Sequence, residues 1–204
     1  MSEATAAMID LAFALDGGVL PREHRCALAA AVEQVLPWLA GLPDAGVHPL
    51  NVSAGGGPDA LLSGRTRLTL RVPRGCAAAA AVLIGAELYL GGSCCVRVGA
   101  MQARELRPHG TLYAHLVAAH EADEIAFLRT AKAELDTLGV PCRTICGRHQ
   151  VTEGGALQGY SLMLDGLSAA AALRVLQAGL GRHRRLGCGV FVPHRSAAPV
   201  GAPP

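Results

Sequence analysis

Lysine is almost missing from this chain. Lys132 is the only one, so 17 of the 18 basic side chains are arginine. Arginine presents a flat fork of donors that matches phosphate, where lysine is a point charge. A GC-rich genome also favours Arg, Ala and Gly codons, but it does not dictate where the arginines fall. Aromatic residues are scarce, 3 % of 204 residues, which leaves little for a site built on ring stacking. The seven cysteines are an odd number and include no CxxC pair. Cys142, Cys146 and His149 lie close in sequence with Cys188 far off, which is not a zinc spacing. They read as small buried thiols, with no metal and no cofactor expected. No apolar run reaches the length of a membrane span, and acidic Glu3 stands where a secretory signal is basic. A cytoplasmic protein with no membrane partner and no small-molecule cofactor is expected. GxxxxGK[ST], GxSxG, HExxH and paired-carboxylate motifs are all absent, which removes P-loop, serine-hydrolase and zincin chemistry.

The charge that is present is unevenly placed. Residues 1–139 carry 11 Lys and Arg against 14 Asp and Glu, whereas residues 140–204 carry 7 against 2. An anionic partner is therefore expected at the C-terminal end.

Hydrophobic patterning points to an α+β chain with one plan used twice. Ala7–Leu15 reads as a strand whose only charge is Asp10. Pro21 opens a helix to Leu36. A strand from His48 to Ala54 and a glycine loop follow. Ser63–Val72 alternates, with Leu68, Leu70 and Val72 on one side and Arg65, Arg67, Thr69 and Arg71 on the other. Gly75–Leu83 reads as helix, and Glu87–Leu90 with Cys94–Val98 as a hairpin. The second half repeats this order. It has a strand at Thr111–Ala118 and a helix at Asp123–Leu138, whose apolar face is Ile125, Leu128, Leu135 and Leu138. Strands at Cys142–His149 and Leu157–Leu164, a helix at Ser168–Gln177 and a last strand at Val190–Val192 complete it. Two βαββαβ units, tandem ferredoxin-like domains over 1–108 and 109–204, fit the whole chain. Ser196–Pro204 reads as a loose tail.

Chemistry concentrates in the stretch GLGRHRRLGCGVFVPHR, residues 179–195. Gly179, Gly181, Gly187 and Gly189 permit close backbone approach, and Arg182, His183, Arg184 and Arg185 supply charge. The loop follows a helix instead of opening one, so it suits an extended anion such as an RNA backbone better than a mononucleotide. A solvated turn is the plain alternative. The one-sided row of Arg65, Arg67 and Arg71 is a second candidate phosphate track, and Arg143, Arg148 and His149 add basic groups nearby in sequence. A nuclease without metal needs a group that titrates near neutrality. His24, in the first turn of the first helix, and His48, at a loop-to-strand junction, are the candidates. A lone His at that place, on the stripe of Leu28, Val32, Val35 and Leu39, is more often a core or capping residue.

These residues together resemble a known family. Leu20-Pro21-Arg22-Glu23-His24, Gly46-Val47-His48-Pro49-Leu50, Arg65 to Arg71, Thr111-Leu112-Tyr113, Gly159-Tyr160-Ser161-Leu162 and the glycine-rich stretch through Pro193 fall in the order found in the Cas-six repeat endoribonucleases of CRISPR systems. The short myxobacterial type I subfamily is the most similar. The resemblance implies tandem ferredoxin-like (RRM-like, RAMP-type) domains with a C-terminal glycine-rich loop. It implies metal-independent cleavage of precursor CRISPR RNA, with the 2′-hydroxyl attacking to leave a 2′,3′-cyclic phosphate. His48, or else His24, is then the catalytic histidine. The family's Tyr or Lys assistant has no counterpart here; Ser53 or Arg65 is the substitute. Arg65, Arg67, Arg71, Arg143, Arg148, His149, Gly181, Arg182, His183, Arg184, Arg185, Gly187 and Gly189 are the expected RNA-binding residues. The expected partners are a CRISPR repeat RNA hairpin, the guide RNA cut from it, and other subunits of a Cascade-type effector. A non-catalytic RNA-binding scaffold on the same fold, and a small-molecule enzyme with a Cys or His site, are the rival readings.

Overall fold

A computed structural model describes residues 7–52, 57–92 and 94–195. The expected tail, Ser53 and two glycines of the expected loop, Gly55 and Gly56, lie outside them. The chain packs as two compact units. The first holds the chain up to Leu106 together with Thr152–Ala156 and His183–Gly187; the second holds Arg107–Val151, Leu157–Arg182 and the chain from Cys188. The division expected from the sequence assigns both short pieces to the second half. Among the described residues no helix is long and apolar enough to cross a membrane.

In the first unit β1 is Met8–Asp16, β2 Val19–Pro21, α1 Arg25–Val35, β3 Gly46–Val47, β4 Asp59–Leu61 and β5 Arg67–Pro73. A short α2, Ala77–Ala80, is flanked by 3-10 turns and followed by β6, Glu87–Tyr89, and β7, Cys95–Glu105. The main sheet runs β3-β5-β1-β7-β6. Its first four strands are the second, third, first and fourth of a βαββαβ unit, the ferredoxin-like order, and β1 is antiparallel to both neighbours. Alternation in β1 sends Ile9, Leu11 and Phe13 into the core with Leu68, Leu70 and Val72 of β5. Leu28, Ala31 and Val32 of α1 share one helical face and close that core. Truncating one such buried leucine to alanine costs about 2–5 kcal/mol.

Several elements differ from expectation. α1 begins four residues after Pro21, because Val19–Pro21 is a strand that pairs with β4 in a separate two-stranded ribbon. The expected strand from His48 to Ala54 does not form over the described residues 48–52; the two-residue β3, Gly46–Val47, lies just before it and stops ahead of Pro49, which has no N–H to continue a ladder. Residues 63–66 form a turn instead of starting β5, with the Thr66 hydroxyl donating to the Asn51 carbonyl. β7 runs through Glu105, seven residues past the expected end, and pairs along nearly the whole of β1.

The second unit repeats the plan. β8 is Thr111–Ala118, α3 Glu124–Thr137, β9 Arg143–Thr152, β10 Leu157–Asp165, α4 Ala169–Ala178 and β11 Val192–Pro193, and its sheet runs β11-β8-β10-β9. The order again is fourth, first, third, second. Local capping sets the helices. Asp123 Oδ1 accepts from the N–H groups of Ile125 and Ala126, and Ser168 Oγ from Ala171. The buried face of α3 is Phe127, Ala131 and Leu135, so Ile125, expected in the core, stands 72 % exposed.

Candidate active site

Asp10 is on the face of β1 opposite the core residues. Cross-strand register aligns it with Arg71 of β5, and Arg71 in turn with Gly46 of β3. Arg71 Nε donates to Asp10 Oδ1 at 2.8 Å and Nη2 to Oδ2 at 2.9 Å, a two-pronged pair. His48, one residue past β3, is held by its main-chain N–H on the Thr69 carbonyl at 2.9 Å. Its Nε2 lies 3.6 Å from Asp10 Oδ1, is sealed from solvent and has no hydrogen-bond partner among the described residues. The side chain keeps 13 % of its surface exposed, which leaves Nδ1 as the outward nitrogen. Burial pushes the His48 pKa below its ordinary value; Asp10 pulls upward, Arg71 pushes downward, and burial prevails. Burial works to raise the Asp10 pKa, but the hydrogen bonds and charge of Arg71, with His48 close by, win and hold it well below the usual carboxylate range. Arg71 therefore does not face solvent with Arg65 and Arg67. It is 3 % exposed because it must neutralise Asp10 on the same sheet face, and it leaves the expected phosphate row.

His24 occupies a different environment. It is 4 % exposed. Its Nε2 accepts the Leu50 N–H at 3.2 Å, which requires that Nδ1 carry the proton. Nδ1 faces the carbonyls of Pro21 at 3.1 Å and Arg22 at 2.9 Å. Burial lowers its pKa, outweighing those carbonyls. With both nitrogens engaged by backbone, His24 clamps the start of α1 to the residue that follows Pro49.

The helix end beside it is capped from afar. Glu153 takes the N–H groups of Arg25 and Cys26 on its two carboxylate oxygens, at 2.8 and 3.1 Å. Glu23 returns the contact through the Gly154 N–H at 3.1 Å and the Thr152 hydroxyl at 3.3 Å. The piece His183–Gly187 packs in the same neighbourhood. Arg25 Nη1 donates to the carbonyls of Leu186 and Gly187. Arg184 pairs with Asp44 at 3.2 Å and Arg185 with Glu33 at 2.5 Å. At Gly187, φ is +74°, and a β-carbon would lie 2.8 Å from Pro49 Cδ and 3.0 Å from the Val47 carbonyl oxygen. The basic loop thus presses on the residues either side of His48.

The glycines act differently from expectation. Their N–H groups are used inside the protein: Gly181 on Glu134 Oε2, Gly187 on the Arg184 carbonyl and Gly189 on the Leu116 carbonyl. Their contribution is positive φ and close packing, not amides offered to a ligand. Gly181, Gly189 and Arg182, which contacts the His120 ring, belong to the second unit, whereas His183, Arg184, Arg185 and Gly187 belong to the first.

The remaining expected residues are scattered. Arg65 is exposed and precedes β5. Arg67 Nη1 closes the turn on the carbonyls of Gly64 and Thr66 at 2.9 and 2.8 Å. Arg143, Arg148 and His149 lie on β9. Arg143 pairs with Asp165 at 2.7 Å, Arg148 is exposed with no side-chain partner among the described residues, and His149 rests its half-buried ring against Tyr160. Sequence reasoning missed Asp10, Arg25 and Glu153 as site residues. Only Asp10 carried a signal, as the single charge in an apolar strand.

Comparison with known proteins places the chain in a family. The family model described as Cas6 Crispr matches residues 9–196. The CRISPR-associated endonuclease Cas6 of Myxococcus xanthus (strain DK1622) is 35 % identical over 195 residues, covering 94 % of this chain and 84 % of that protein. In fold, the chain is similar to a Cas6-related protein of Pyrococcus furiosus, with TM-score 0.65, 12 % identity and coverage of 91 % and 98 %. It is also similar to a RAMP protein that binds different RNA substrates, with TM-score 0.57, 15 % identity and coverage of 90 % and 98 %. The chain belongs to the Cas6 family.

Proposed function

We propose that this protein binds the repeat hairpin of precursor CRISPR RNA and cuts it without metal, with His48 as the reacting base. We propose further that it stays on the guide RNA as a subunit of a Cascade-type effector. The observation that carries the reading is the packing of the basic loop 183–187 against Val47 and Pro49, the two neighbours of His48. One place then holds both phosphate-binding cations and a group able to move a proton. The relative from Myxococcus xanthus, itself named an endonuclease, supports the activity.

The chemistry follows from the protonation state. Burial keeps His48 neutral near pH 7, so it accepts a proton. It takes the proton of the 2′-hydroxyl; the O2′–P bond forms as the P–O5′ bond breaks. The departing O5′ takes a proton from water, and the imidazolium later returns its own to water. The products are a 2′,3′-cyclic phosphate and a 5′-hydroxyl. Arg184 and Arg185 exchange their partly exposed carboxylate partners for phosphate, and Arg65 and Arg67 extend the contact. Recognition of the stem rests on backbone and shape, because the A-form major groove is too deep and narrow for side chains to read.

The test is cleavage of a labelled repeat hairpin in EDTA by wild type, His48→Ala and His24→Ala, with binding measured in parallel. His48→Ala is expected to bind and not cut. Loss of cutting in His24→Ala alone, in a folded protein, moves the site. Tight binding by a wild type that never cuts makes the protein a scaffold.

A further inference from the structure

We infer that Asp10, gripped on both oxygens by Arg71, is the positioning residue that fixes the tautomer of His48 and turns Nδ1 toward the RNA. The inference rests on His48 being the reacting base and adds how that base is prepared. An imidazole is useful as a base only when the nitrogen facing the substrate is the one without the proton. His48 Nε2 is buried, faces Asp10 Oδ1 at 3.6 Å and has no hydrogen-bond partner among the described residues. A carboxylate only accepts, so the proton belongs on Nε2 and the lone pair on the outward Nδ1. The gap is longer than a hydrogen bond, as catalytic contacts in unliganded sites often are before they tighten in the substrate complex.

The rest of the cluster is arranged for this. The charges that act on His48 are Asp10 of β1 and Arg71 of β5. Across the strand pair on β7, Arg104 opposes Asp10 in register, but its side chain bonds Gln102 at 3.1 Å. Arg67, on the same face of β5, is spent on turn carbonyls. Among the described residues it is Arg71 that grips both oxygens of the carboxylate, from a position 3 % exposed. That grip keeps Asp10 ionised despite burial and fixes its oxygen toward β3. When His48 takes the 2′-hydroxyl proton at Nδ1, the ring becomes cationic and Asp10 compensates the charge; Asp10 itself takes up no proton.

Two measurements decide this. Proton–nitrogen correlation NMR of the folded wild type, with the His48 signal assigned by its loss in His48→Ala, reads the tautomer directly. The expected form carries hydrogen on Nε2, and hydrogen on Nδ1 overturns the inference. Single-turnover cleavage of the repeat hairpin from pH 5 to 9 then compares wild type, Asp10→Asn, Asp10→Glu and His48→Ala. Asp10→Asn is expected to cut about 100-fold more slowly, within the range of a lost acid–base contribution, with hairpin affinity unchanged. Its rising pH limb moves to lower pH, because the carboxylate no longer raises the His48 pKa. Asp10→Glu recovers part of the rate. Asp10→Asn with wild-type rate and pH profile overturns the inference, as does a loss of rate matched by equal losses of affinity and melting temperature. Wild-type cutting by His48→Ala instead removes the base itself, a separate failure.

Discussion

The carboxylate of Glu153 bridges the main-chain N–H groups of Arg25 and Cys26, at 2.8 and 3.1 Å, and so caps a helix 128 residues earlier in the chain. His24 stands at the N-cap position but makes no side-chain bond to the helix N–H groups, so Glu153 supplies what a local Ser or Asp usually does. Its negative charge also meets the positive end of the α1 dipole. Glu153→Ala is expected to cost about 1 kcal/mol. That corresponds to about 2–4 °C in melting temperature for a chain of this length. Glu153→Gln keeps one acceptor and loses less. Thermal unfolding of both variants checks the order.

The glycines of the C-terminal stretch separate by what a β-carbon would meet. At Gly189 it would lie 1.7 Å from the Leu180 carbonyl oxygen with φ at +64°, and no side-chain movement relieves that. Gly189→Ala is expected to cost at least about 3 kcal/mol. Gly187→Ala meets the movable Arg25 guanidinium, but also the Val47 carbonyl, and should cost about 1–2 kcal/mol. It also displaces the residues flanking His48, so cleavage should fall more than stability predicts. Gly75→Ala, with open space and no positive φ, is the control and should leave both unchanged. Melting curves and single-turnover rates distinguish the three.

What the sequence made legible was local. β8, the helices that start at Asp123 and Ser168 and the alternation of β5 are written in neighbouring residues. The ribbon of β2 and β4 was not, because Val19 pairs with Leu61 across the whole of α1 and β3 and no local pattern announces the partner. The far half of β7, Gly99 to Glu105, has small and charged residues whose strand character comes from pairing with β1. The site divides the same way. His48 stood out by type and by its place in a family motif. Period-two spacing put Arg65, Arg67 and Arg71 on one face, yet it carried no information on which arginine the half-buried Asp10 would claim. Glycine spacing announced positive φ but not that the amide groups were already spent.

Stability should respond to pH through the buried histidines. His24 and His48 both have folded pKa values below the ordinary 6.5. Below that value the unfolded chain binds protons that the folded chain refuses, so stability is full above about pH 6.5 and falls as pH drops. Asp10 adds a second loss with the same sign. Its folded pKa is depressed from 3.8, so its contribution is present above that value and is lost as pH falls further. Denaturant midpoints at pH 8 and pH 5 should therefore differ, with pH 8 the more stable. His24→Gln, which does not titrate, should lower stability at pH 8 and flatten the dependence. An unchanged slope in that variant removes His24 as a contributor.

Arg184 and Arg185 reach the solvent already paired, with Asp44 at 3.2 Å and Glu33 at 2.5 Å. Such partly exposed pairs contribute little to stability, so their replacement by a phosphate would cost little. If both arginines touch RNA phosphates, Arg184→Ala and Arg185→Ala weaken hairpin binding and each flattens the slope of log affinity against log salt by about 0.7 to 0.9. The opposite change is more discriminating. Asp44→Asn and Glu33→Gln remove the competing charges while leaving the arginines in place. Affinity for the hairpin should rise at low salt, with melting temperature changed by no more than a degree or two. A purely structural role for the pairs predicts the reverse: a lower melting temperature and no gain in affinity. Equal affinity and equal salt slope across all four variants would move the RNA path away from this loop.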